Sequence, residues 1–500
     1  MSDHMSPLDA AFLTLEDEQP EASLAIASVA VLEGPAPRQE EILRTIRARL
    51  PLVERYRQKA RQVPFDLGPP VWVDDPCFDL RHHVRRVALA PPGGDTELDE
   101  LIARIMSRRL DRTRPLWEYW VIDNLAADRW ALVSKVHHCM VDGVSGTSLY
   151  YAIFDVSPEG TRDPPQDTWS PHAEPSALQL SADALRDLLR NPVEQARMAG
   201  RALAAPRATA RRVLDTVRGL VPLAGALRPA AASTLTGPIG ERRRYAAARV
   251  PLADVKQTAQ RAGVTFNDVV LSAISGAYRA VLRERGEEPH PHAVRSLVPV
   301  SVRPPGQESV CDNRISLLLA HLPVHLADPA GRLRAVHEHL SELKASGQAQ
   351  AGEAIIRLAG HEPFPPVSAL MRLAARVPQR QIVTVTTNVP GPRQPLYLLG
   401  RRTLEILPYV PIATRLRTGV SVFSYCDRVA FGVTGDHDSA PEVERLARGI
   451  EREIERLRAA FQPPAQAPRR ARPAQPSRSR AAAGPAAAAA RAKAAHPHPA

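Results

Sequence analysis

Hydrophobic residues along the chain follow two spacings, one typical of strands and one typical of helices. The runs ASVAVLEG and RWALVSKVHH, within residues 27–138, place hydrophobic side chains at the two-residue repeat of a strand. In LDELIARIMSRRL the hydrophobic residues recur at helical spacing, at Leu98, Leu101, Ile102 and Ile105. The chain up to about residue 156 is therefore predicted to mix strands and helices.

A second mixed region is predicted after residue 235. VTFNDVVLSAISGAYRAVLRERG predicts a helix that begins at Thr265 or Asn267 and ends before Gly286. APEVERLARGIEREIERLRAAF predicts a final helix with one hydrophobic face, and five runs before it have the composition of strands. These runs are VRSLVPVSV, ISLLLAHLPV, RQIVTVTTNVP, TGVSVFSYC and RVAFGVTGD.

A turn-rich linker and a basic helical stretch separate the two mixed regions. SPEGTRDPPQDTWSPHAEPS is rich in helix breakers and leads into an Arg-rich helical stretch, residues 176–229. After Phe461 the composition is mostly Ala, Pro and Arg, which cannot bury a core and predicts disorder. We therefore predict an α/β fold, an α+β sandwich, divided into residues 1–160, 161–235, 236–462 and a tail, 463–500.

The net charge of +11 is local rather than general. The tail carries seven net positive charges and residues 176–229 carry five, so the rest of the chain is close to neutral. No nucleic-acid-reading motif accompanies the charge, and we expect no nucleic-acid partner. The basic helices fit an anionic membrane surface as well as they fit a solvated bridge between the halves.

The cysteine spacing, the first residues of the sequence and the length of its hydrophobic runs predict the cellular compartment. The four cysteines are widely spaced and form no CxxC pair, which argues against a disulfide framework or a thiolate zinc site and suits the cytosol. The start, MSDHMSPLDAAF, lacks the pattern of a secretory signal, and no run reaches the length of a membrane-spanning helix. We expect a cytoplasmic protein.

The most chemically suggestive stretch is KVHHCMVDGVSG, residues 135–146, at the end of a predicted strand. Strand alternation places His138 on the face of Ser134 and Val136, and His137 on the opposite face. The two histidines therefore cannot easily share a metal ion, and no zinc-binding spacing is present. Cys139 and His138 would also diverge, so a Cys/His nucleophile pair is rejected. Alternation alone does not decide which histidine is functional, or whether either is.

A resemblance to a known family decides between the histidines. HHCMVDG fits the HHxxxDG signature of CoA-dependent acyltransferases. SPLDAAFLTLE, RTRPLWEYWVIDNL, NDVVLSAISGAYR and NVPGPRQPLYLLG occur around it in an order that resembles the bacterial wax ester synthase/diacylglycerol acyltransferase family. The resemblance implies two chloramphenicol-acetyltransferase-like halves with an active-site channel between them. It also implies acyl-CoA as co-substrate and no bound cofactor or metal.

The resemblance assigns roles within the histidine motif. His137, His138 and Asp142 form the candidate catalytic set, with His138 as the general base. Asp142 would hold the loop, paired with an arginine, although by its position it could also cap a following helix. Gly143 would leave room at the mouth of the acyl and CoA channel.

The other motifs contribute candidate channel or structural residues. For Pro115, Leu116 and Trp117 we favour a buried structural corner. A role in the site and a role as helix cap stay open for Asn267 and Asp268. The NVPGP segment predicts a Pro-Gly turn that shapes the channel. Its candidate residues are Asn388, Pro390 and Gly391.

The predicted function is transfer of a long-chain fatty acyl group from acyl-CoA to diacylglycerol, giving triacylglycerol. Long-chain fatty alcohols, which would give wax esters, are the alternative acceptor. Amide-forming condensation on carrier-bound substrates is a rival enzyme, and a non-catalytic lipid-droplet protein is a rival outside enzymes. Lipid-soluble substrates also predict peripheral association with the inner membrane or lipid inclusions.

Overall fold

The computed structural model describes residues 3–141, 153–160, 166–190, 233–301, 315–345 and 382–462, together with the single residues Phe364, Ser368 and Arg372. Several predictions lie outside these residues. They concern Asp142 and Gly143 of the histidine motif, most of the basic stretch after Arg190, and the tail, Pro463–Ala500.

The strands of the described residues alternate with helices along the chain. In order, they are β1 (Asp3–His4), β2 (Ala25–Glu33), β3 (Gln58–Arg61), β4 (Val71–Asp74), β5 (Val84–Ala88), β6 (Trp117–Leu125), β7 (Arg129–His137), β8 (Arg243–Pro251), β9 (Val294–Ser301), β10 (Ile315–Leu322), β11 (Thr384–Pro390), β12 (Tyr397–Leu398), β13 (Arg401–Tyr409), β14 (Thr418–Tyr425) and β15 (Arg428–Asp436).

The helices range from a single turn to about five turns. They are α1 (Pro7–Glu18), α2 (Gln39–Arg49), α3 (Leu80–His83), α4 (Asp95–Ser107), α5 (Ala177–Arg190), α6 (Leu252–Ala262), α7 (Phe266–Glu284), α8 (Pro329–Ala345) and α9 (Val443–Ala460).

Two six-stranded sheets dominate the described residues. The first has the order β12-β13-β2-β7-β6-β5, so β7 lies near its centre, antiparallel to both β2 and β6. The second has the order β10-β9-β11-β14-β15-β8, with parallel pairing of β11 to β9 and β14. A small sheet, β1-β4-β3, packs against α5 through a separate hydrophobic cluster. The predicted α/β class is confirmed.

The second half reaches into the first sheet through β13. This strand follows β12 in the chain but pairs with β2, far away in sequence. Arg249 of β8 forms an ion pair with Glu405 of β13 at 2.6 Å. Gly432 of β15 passes so close to β13 that a Cβ would stand 1.8 Å from the carbonyl oxygen of Pro408. The two sheets are therefore held together by backbone packing that excludes a side chain at Gly432.

The helix boundaries follow the predicted caps. Of the two candidates for the start of α7, the structure selects Thr265, whose hydroxyl accepts a hydrogen bond from the Asp268 amide at 3.2 Å. Gly286 has a φ of +75° just past the end of the helix. In α9 the predicted hydrophobic face is buried, at Val443, Leu446, Ile450, Ile454 and Leu457.

The sequence patterns did not identify β6, β8 or β13 as strands. β6 alternates buried and half-buried positions from Trp117 to Val121, but the aromatic Trp120 stands at a half-buried position, which hides the two-residue repeat in the sequence. The predicted domain boundaries at residues 160 and 235 stay predictions.

Candidate active site

β7 presents its two faces to different surroundings, as the alternation predicted. On one face the Lys135 ammonium is buried against α4 and donates a hydrogen bond to the Ile105 carbonyl at 2.9 Å. On the other face Ser134, Val136 and His138 line a cavity between the two sheets. The predicted divergence of the histidines is confirmed.

The cavity beside His138 has a volume of about 220 Å³ and is mostly hydrophobic. Both sheets and the strand that joins them contribute to its walls. Those from the first sheet and the segments next to it are Ile26, Ala27, Ser28, Ala30, Tyr119, Leu132, Ser134, Val136, His138, Val141, Ile153, Phe154, Pro408, Tyr409 and Val410, and those from the second sheet are Thr387, Val389, Ser421, Val422 and Phe423. Such a lining suits a hydrocarbon chain better than a polar ligand.

The half-buried His138 begins a short 3₁₀ turn, His138–Met140, directly after β7. Its backbone amide donates to the Leu24 carbonyl at 3.1 Å, in the segment that joins α1 to β2. Its ring lies against Phe12 of α1, with 4.1 Å between the ring centroids. The imidazole is thus fixed at the wall of the cavity by a backbone contact and a ring contact.

His137 is buried on the opposite face. Its Nδ1 accepts a hydrogen bond from the Cys139 amide at 3.2 Å, so in the neutral ring the proton lies on Nε2. Nε2 stands 3.4 Å from Oε2 of Glu16, an ion-pair distance without hydrogen-bond alignment. His137 therefore contacts α1 and does not line the cavity.

Glu16 is a buried carboxylate that links both histidines to α1. Its Oε1 accepts the Leu24 amide at 2.9 Å, and its Oε2 lies 3.7 Å from Arg112. Burial by itself raises the pKa of Glu16. The neighbouring His137, the Leu24 amide and Arg112 outweigh burial and hold that pKa below its usual 4.5. Glu16 is therefore ionised at neutral pH.

α1 supplies two functional contacts that the sequence reasoning missed. Phe12 and Glu16 are four residues apart and therefore lie on one face of the helix. Phe12 packs on His138 and Glu16 faces His137. SPLDAAFLTLE is one of the motifs that carry the family resemblance. The four-residue spacing of Phe12 and Glu16 within it is the signal that could have identified both contacts.

Cys139 is a partner of His137 rather than of His138. Its Sγ lies 3.0 Å from Nδ1 of His137, and its side chain is buried. Burial raises the pKa of the Cys139 thiol well above its ordinary value, so the thiolate is disfavoured. The geometry gives Cys139 no nucleophilic role.

Pro115, Leu116 and Trp117 are buried and lie outside the cavity wall. The Leu116 carbonyl accepts the His137 amide at 2.9 Å, which ties the start of β6 to the end of β7. The Trp117 indole donates to the Tyr56 carbonyl at 2.8 Å and stacks on that residue's ring. These contacts are those of a buried corner that supports the histidine strand.

The structure brings two of the predicted motifs together. Asn388 at the end of β11 donates from Nδ2 to Oδ1 of Asn267, at 3.4 Å. Asp268 instead turns into the helix cap, where its carboxylate accepts the Thr265 amide at 2.8 Å. The same carboxylate stands 2.8 Å from Nδ1 of His337.

Gly391 follows the exposed Pro390 and brings the end of β11 against β14. Its amide donates to the Ser424 hydroxyl at 3.3 Å. A Cβ at Gly391 would stand 2.4 Å from the ring of Phe423, which lines the cavity. Gly391 therefore affects the shape of the cavity through its neighbour.

No group of three or more His, Cys, Asp or Glu side chains in the described residues is arranged to hold a metal ion. Within the described residues, the candidate active site is the imidazole of His138 at the wall of a hydrophobic cavity, and the nearby Cys139 is not a thiolate.

Comparisons with known proteins agree with this geometry. The model of the wax ester synthase/diacylglycerol acyltransferase catalytic domain matches residues 5–270, and the model of the WS/DGAT C-terminal domain matches residues 311–458. The chain is 46% identical over 455 residues to the probable diacylglycerol O-acyltransferase tgs1 of Mycobacterium tuberculosis, covering 91% of this chain and 95% of that protein.

Solved structures show the same architecture. The wax ester synthase/diacylglycerol acyltransferase from Marinobacter aquaeolei VT8 is 25% identical and superposes with a TM-score of 0.61, covering 92% of this chain and 99% of that chain. The starter condensation domain of rhizomide synthetase RzmA, in complex with C8-CoA, is 16% identical and gives a TM-score of 0.53. The match covers 92% of this chain and 95% of that chain. The second likeness concerns the fold alone.

Proposed function

The chain belongs to the wax ester synthase/diacylglycerol acyltransferase family, and from this premise we propose that His138 is the general base of its acyl transfer. The protein is an acyl-CoA-dependent O-acyltransferase that makes triacylglycerol. The observation that carries the proposal is the position of His138, the histidine of the pair that lines the hydrophobic cavity.

The reaction needs one base. The imidazole of His138 removes the proton from the acceptor hydroxyl as its oxygen attacks the thioester carbonyl. The tetrahedral intermediate then expels the CoA thiolate, which takes the proton from the imidazolium. One ester forms, one thioester breaks, and the histidine returns to its starting state, so no acyl-enzyme is required.

The cavity supports a lipid acceptor. Hydrophobic residues from both sheets, Phe423 and Tyr409 among them, surround the space next to His138. Diacylglycerol is the acceptor we propose, in keeping with the name of the mycobacterial relative. A hydrocarbon-lined wall would also accept a fatty alcohol, and wax ester synthesis is the second activity to measure.

The test compares wild type with His138→Ala on labelled palmitoyl-CoA, with dioleoylglycerol or hexadecanol as acceptor. General-base loss should reduce kcat by about 10²- to 10⁴-fold. Equal rates in the two proteins would remove His138 from the mechanism. A folded wild type that makes no ester from either acceptor would favour the non-catalytic lipid-binding role.

We also propose that the protein associates with a membrane or lipid-inclusion surface from the cytoplasmic side. No helix in the described part of the chain is long and apolar enough to cross a bilayer. Phe65 is 89% exposed and Leu178 is 80% exposed. Leu185, about two helical turns after Leu178 in α5, is also exposed. The turn that carries Phe65 contacts α5, and its φ of 58° lies in the left-handed region that such a residue rarely adopts.

Exposed hydrophobic side chains on one surface are typical of lipid or protein contact sites. Phe65→Ser combined with Leu178→Ser should reduce co-flotation with phosphatidylcholine vesicles containing diacylglycerol. Turnover of acceptor dispersed in detergent should stay unchanged. Undiminished flotation would contradict this assignment.

A further inference from the structure

A second cavity, of about 550 Å³, lies between α4 and the start of β8. Arginines from both elements line it, and we call it the arginine groove. Its arginines are Arg104, Arg108, Arg242, Arg243 and Arg244. The acyl-transfer mechanism above uses none of them.

Three of the five arginines already have partners. Arg243 is buried and donates to the carbonyl of Glu21 at 2.6 Å. Arg242 pairs with Asp438 at 3.0 Å, where both side chains are 66% exposed. Arg244 donates to the His437 carbonyl at 2.8 Å. These contacts fix one wall of the groove.

Arg104 and Arg108 on the opposite wall are different. Both are exposed, and within the described part of the chain their guanidinium groups form no hydrogen bond or ion pair. The acidic side chains of the groove are Asp99, Glu100 and Glu444. Asp438 pairs with Arg242, and Asp436 lies 3.9 Å from Arg243. The positive charge without an ion-pair partner in the described residues is therefore that of Arg104 and Arg108.

Asp99 is only partly ionised at neutral pH and therefore offsets only part of that charge. Burial raises its pKa to about 7, although Arg249 works in the opposite direction. Its Oδ1 has no hydrogen-bond partner in the described structure. Arg104 and Arg108 are therefore the two cations of the arginine groove that are positioned to bind an anion.

The arginine groove and the catalytic histidine flank the same chain segment, residues 19–24. The Leu24 carbonyl accepts the His138 amide, and the Glu21 carbonyl accepts Arg243. Leu24 is three positions after Glu21 in the chain, so their Cα atoms are at most about 11 Å apart. The segment that Arg243 contacts therefore also supports the backbone of His138.

A residue of the groove wall also contacts the wall of the hydrophobic cavity. Tyr245 lines the groove, and its hydroxyl donates to the Pro408 carbonyl at 2.9 Å. Pro408 lines the hydrophobic cavity. One hydrogen bond therefore joins the wall of the arginine groove to the wall of the hydrophobic cavity that contains His138.

We propose that the arginine groove binds phosphate groups, namely those of the CoA portion of acyl-CoA, while the acyl chain occupies the hydrophobic cavity. This inference rests on the proposed function. Acyl-CoA carries phosphates at one end and a hydrocarbon chain at the other, joined through the thioester that must lie at His138. Guanidinium groups bind phosphate oxygens through paired, charge-assisted hydrogen bonds. A phospholipid headgroup offers the same chemistry from another source.

The test uses the double variant Arg104→Gln/Arg108→Gln. Its control is Arg283→Gln/Arg448→Gln, which removes two exposed arginines with the same change in charge from helices α7 and α9. We expect the groove variant to raise the KM for palmitoyl-CoA and the Kd for free CoA, measured by calorimetry, by about 10- to 100-fold. The control should change neither by more than about twofold.

A phosphate-free substrate separates binding from folding. With palmitoyl-pantetheine the groove variant should keep the wild-type kcat/KM, because this thioester has no phosphate to lose. An equal fall with both thioesters would overturn the proposal. Should the double variant melt at a lower temperature than wild type, each single substitution is measured in the same way.

Vesicles containing phosphatidylglycerol distinguish the two phosphate sources. Unchanged flotation of the groove variant, together with the weaker CoA binding, supports acyl-CoA as the ligand. Reduced flotation with unchanged CoA affinity overturns that assignment in favour of a lipid headgroup. No change in either overturns the site. Because free CoA binding needs no turnover, these results stay separate from a failure of the acyltransferase activity.

Discussion

Replacing Glu16 by Gln tests the contact network that positions the two histidines. The carboxylate is buried, accepts the Leu24 amide and faces His137 and Arg112. Gln keeps an acceptor for Leu24 but loses the charge, and its amide nitrogen is a donor facing other donors. Weaker hydrogen bonding and unsatisfied buried donors together should lower the free energy of unfolding by about 2 to 4 kcal/mol.

The pH dependence of this loss follows from the direction of the pKa shift. The pKa of Glu16 is lower in the folded protein than its usual 4.5, because His137, the Leu24 amide and Arg112 outweigh the effect of burial. The carboxylate therefore stabilises the fold at every pH above 4.5, and that contribution is lost only as the pH falls through the folded pKa. The stability gap between wild type and Glu16→Gln should be constant from neutral pH to about pH 5 and should close below it.

Urea unfolding between pH 7.5 and 3.5 measures the gap without adding salt. Glu40→Gln is the control, since Glu40 forms an exposed ion pair with Arg81 at 3.0 Å. Screening by solvent limits the expected change there to less than about 1 kcal/mol. Equal stability of Glu16→Gln and wild type at pH 7.5 would refute the reasoning, as would a gap that already closes between pH 7 and 6.

Three further substitutions test neighbouring features. Gly391→Ala should destabilise by about 1 to 3 kcal/mol and alter acyl-chain selectivity, because the new methyl group would stand 2.2 Å from the Ser424 carbonyl oxygen and 2.4 Å from the ring of Phe423, so both must shift. Gly68→Ala, with ordinary contact distances, should do neither in thermal melts and chain-length assays. Cys139→Ala should keep kcat within about twofold, and mass spectrometry should find no acyl group on the wild-type protein; an acylated cysteine would contradict the single-base mechanism. Thr265→Ala should lower unfolding free energy by about 1 kcal/mol through loss of the α7 cap, and an unchanged urea midpoint would speak against that cap.

The sequence predicts features that depend on neighbouring residues. The divergence of His137 and His138 follows from the two-residue repeat of one strand, and the structure reproduces it. The cap at Thr265 and the turn at Gly286 are similarly local. Each of these depends on a few consecutive residues, so a single sequence contains the necessary information.

Features that depend on distant residues could not be predicted in this way. β13 pairs with β2, more than 370 positions away, and no pattern within either strand names its partner. The arginine groove could not be predicted for the same reason, because it brings together Arg104 and Arg244, which are far apart in the sequence. Trp117 was expected in a buried corner, and the structure adds that the corner is the start of a strand next to the histidine strand.

One network of contacts around Glu16 explains why the motif has two adjacent histidines, one buried and one at the cavity. Glu16 holds the Leu24 amide, and the Leu24 carbonyl holds the His138 amide. His137 faces the same Glu16 from the buried side of β7. The proposed base, His138, must meet both a hydroxyl and a thioester and therefore needs a fixed position, because small displacements of reacting groups are costly in rate. The buried histidine and its carboxylate anchor the end of the strand, and the next residue, on the opposite face, is thereby presented to the cavity.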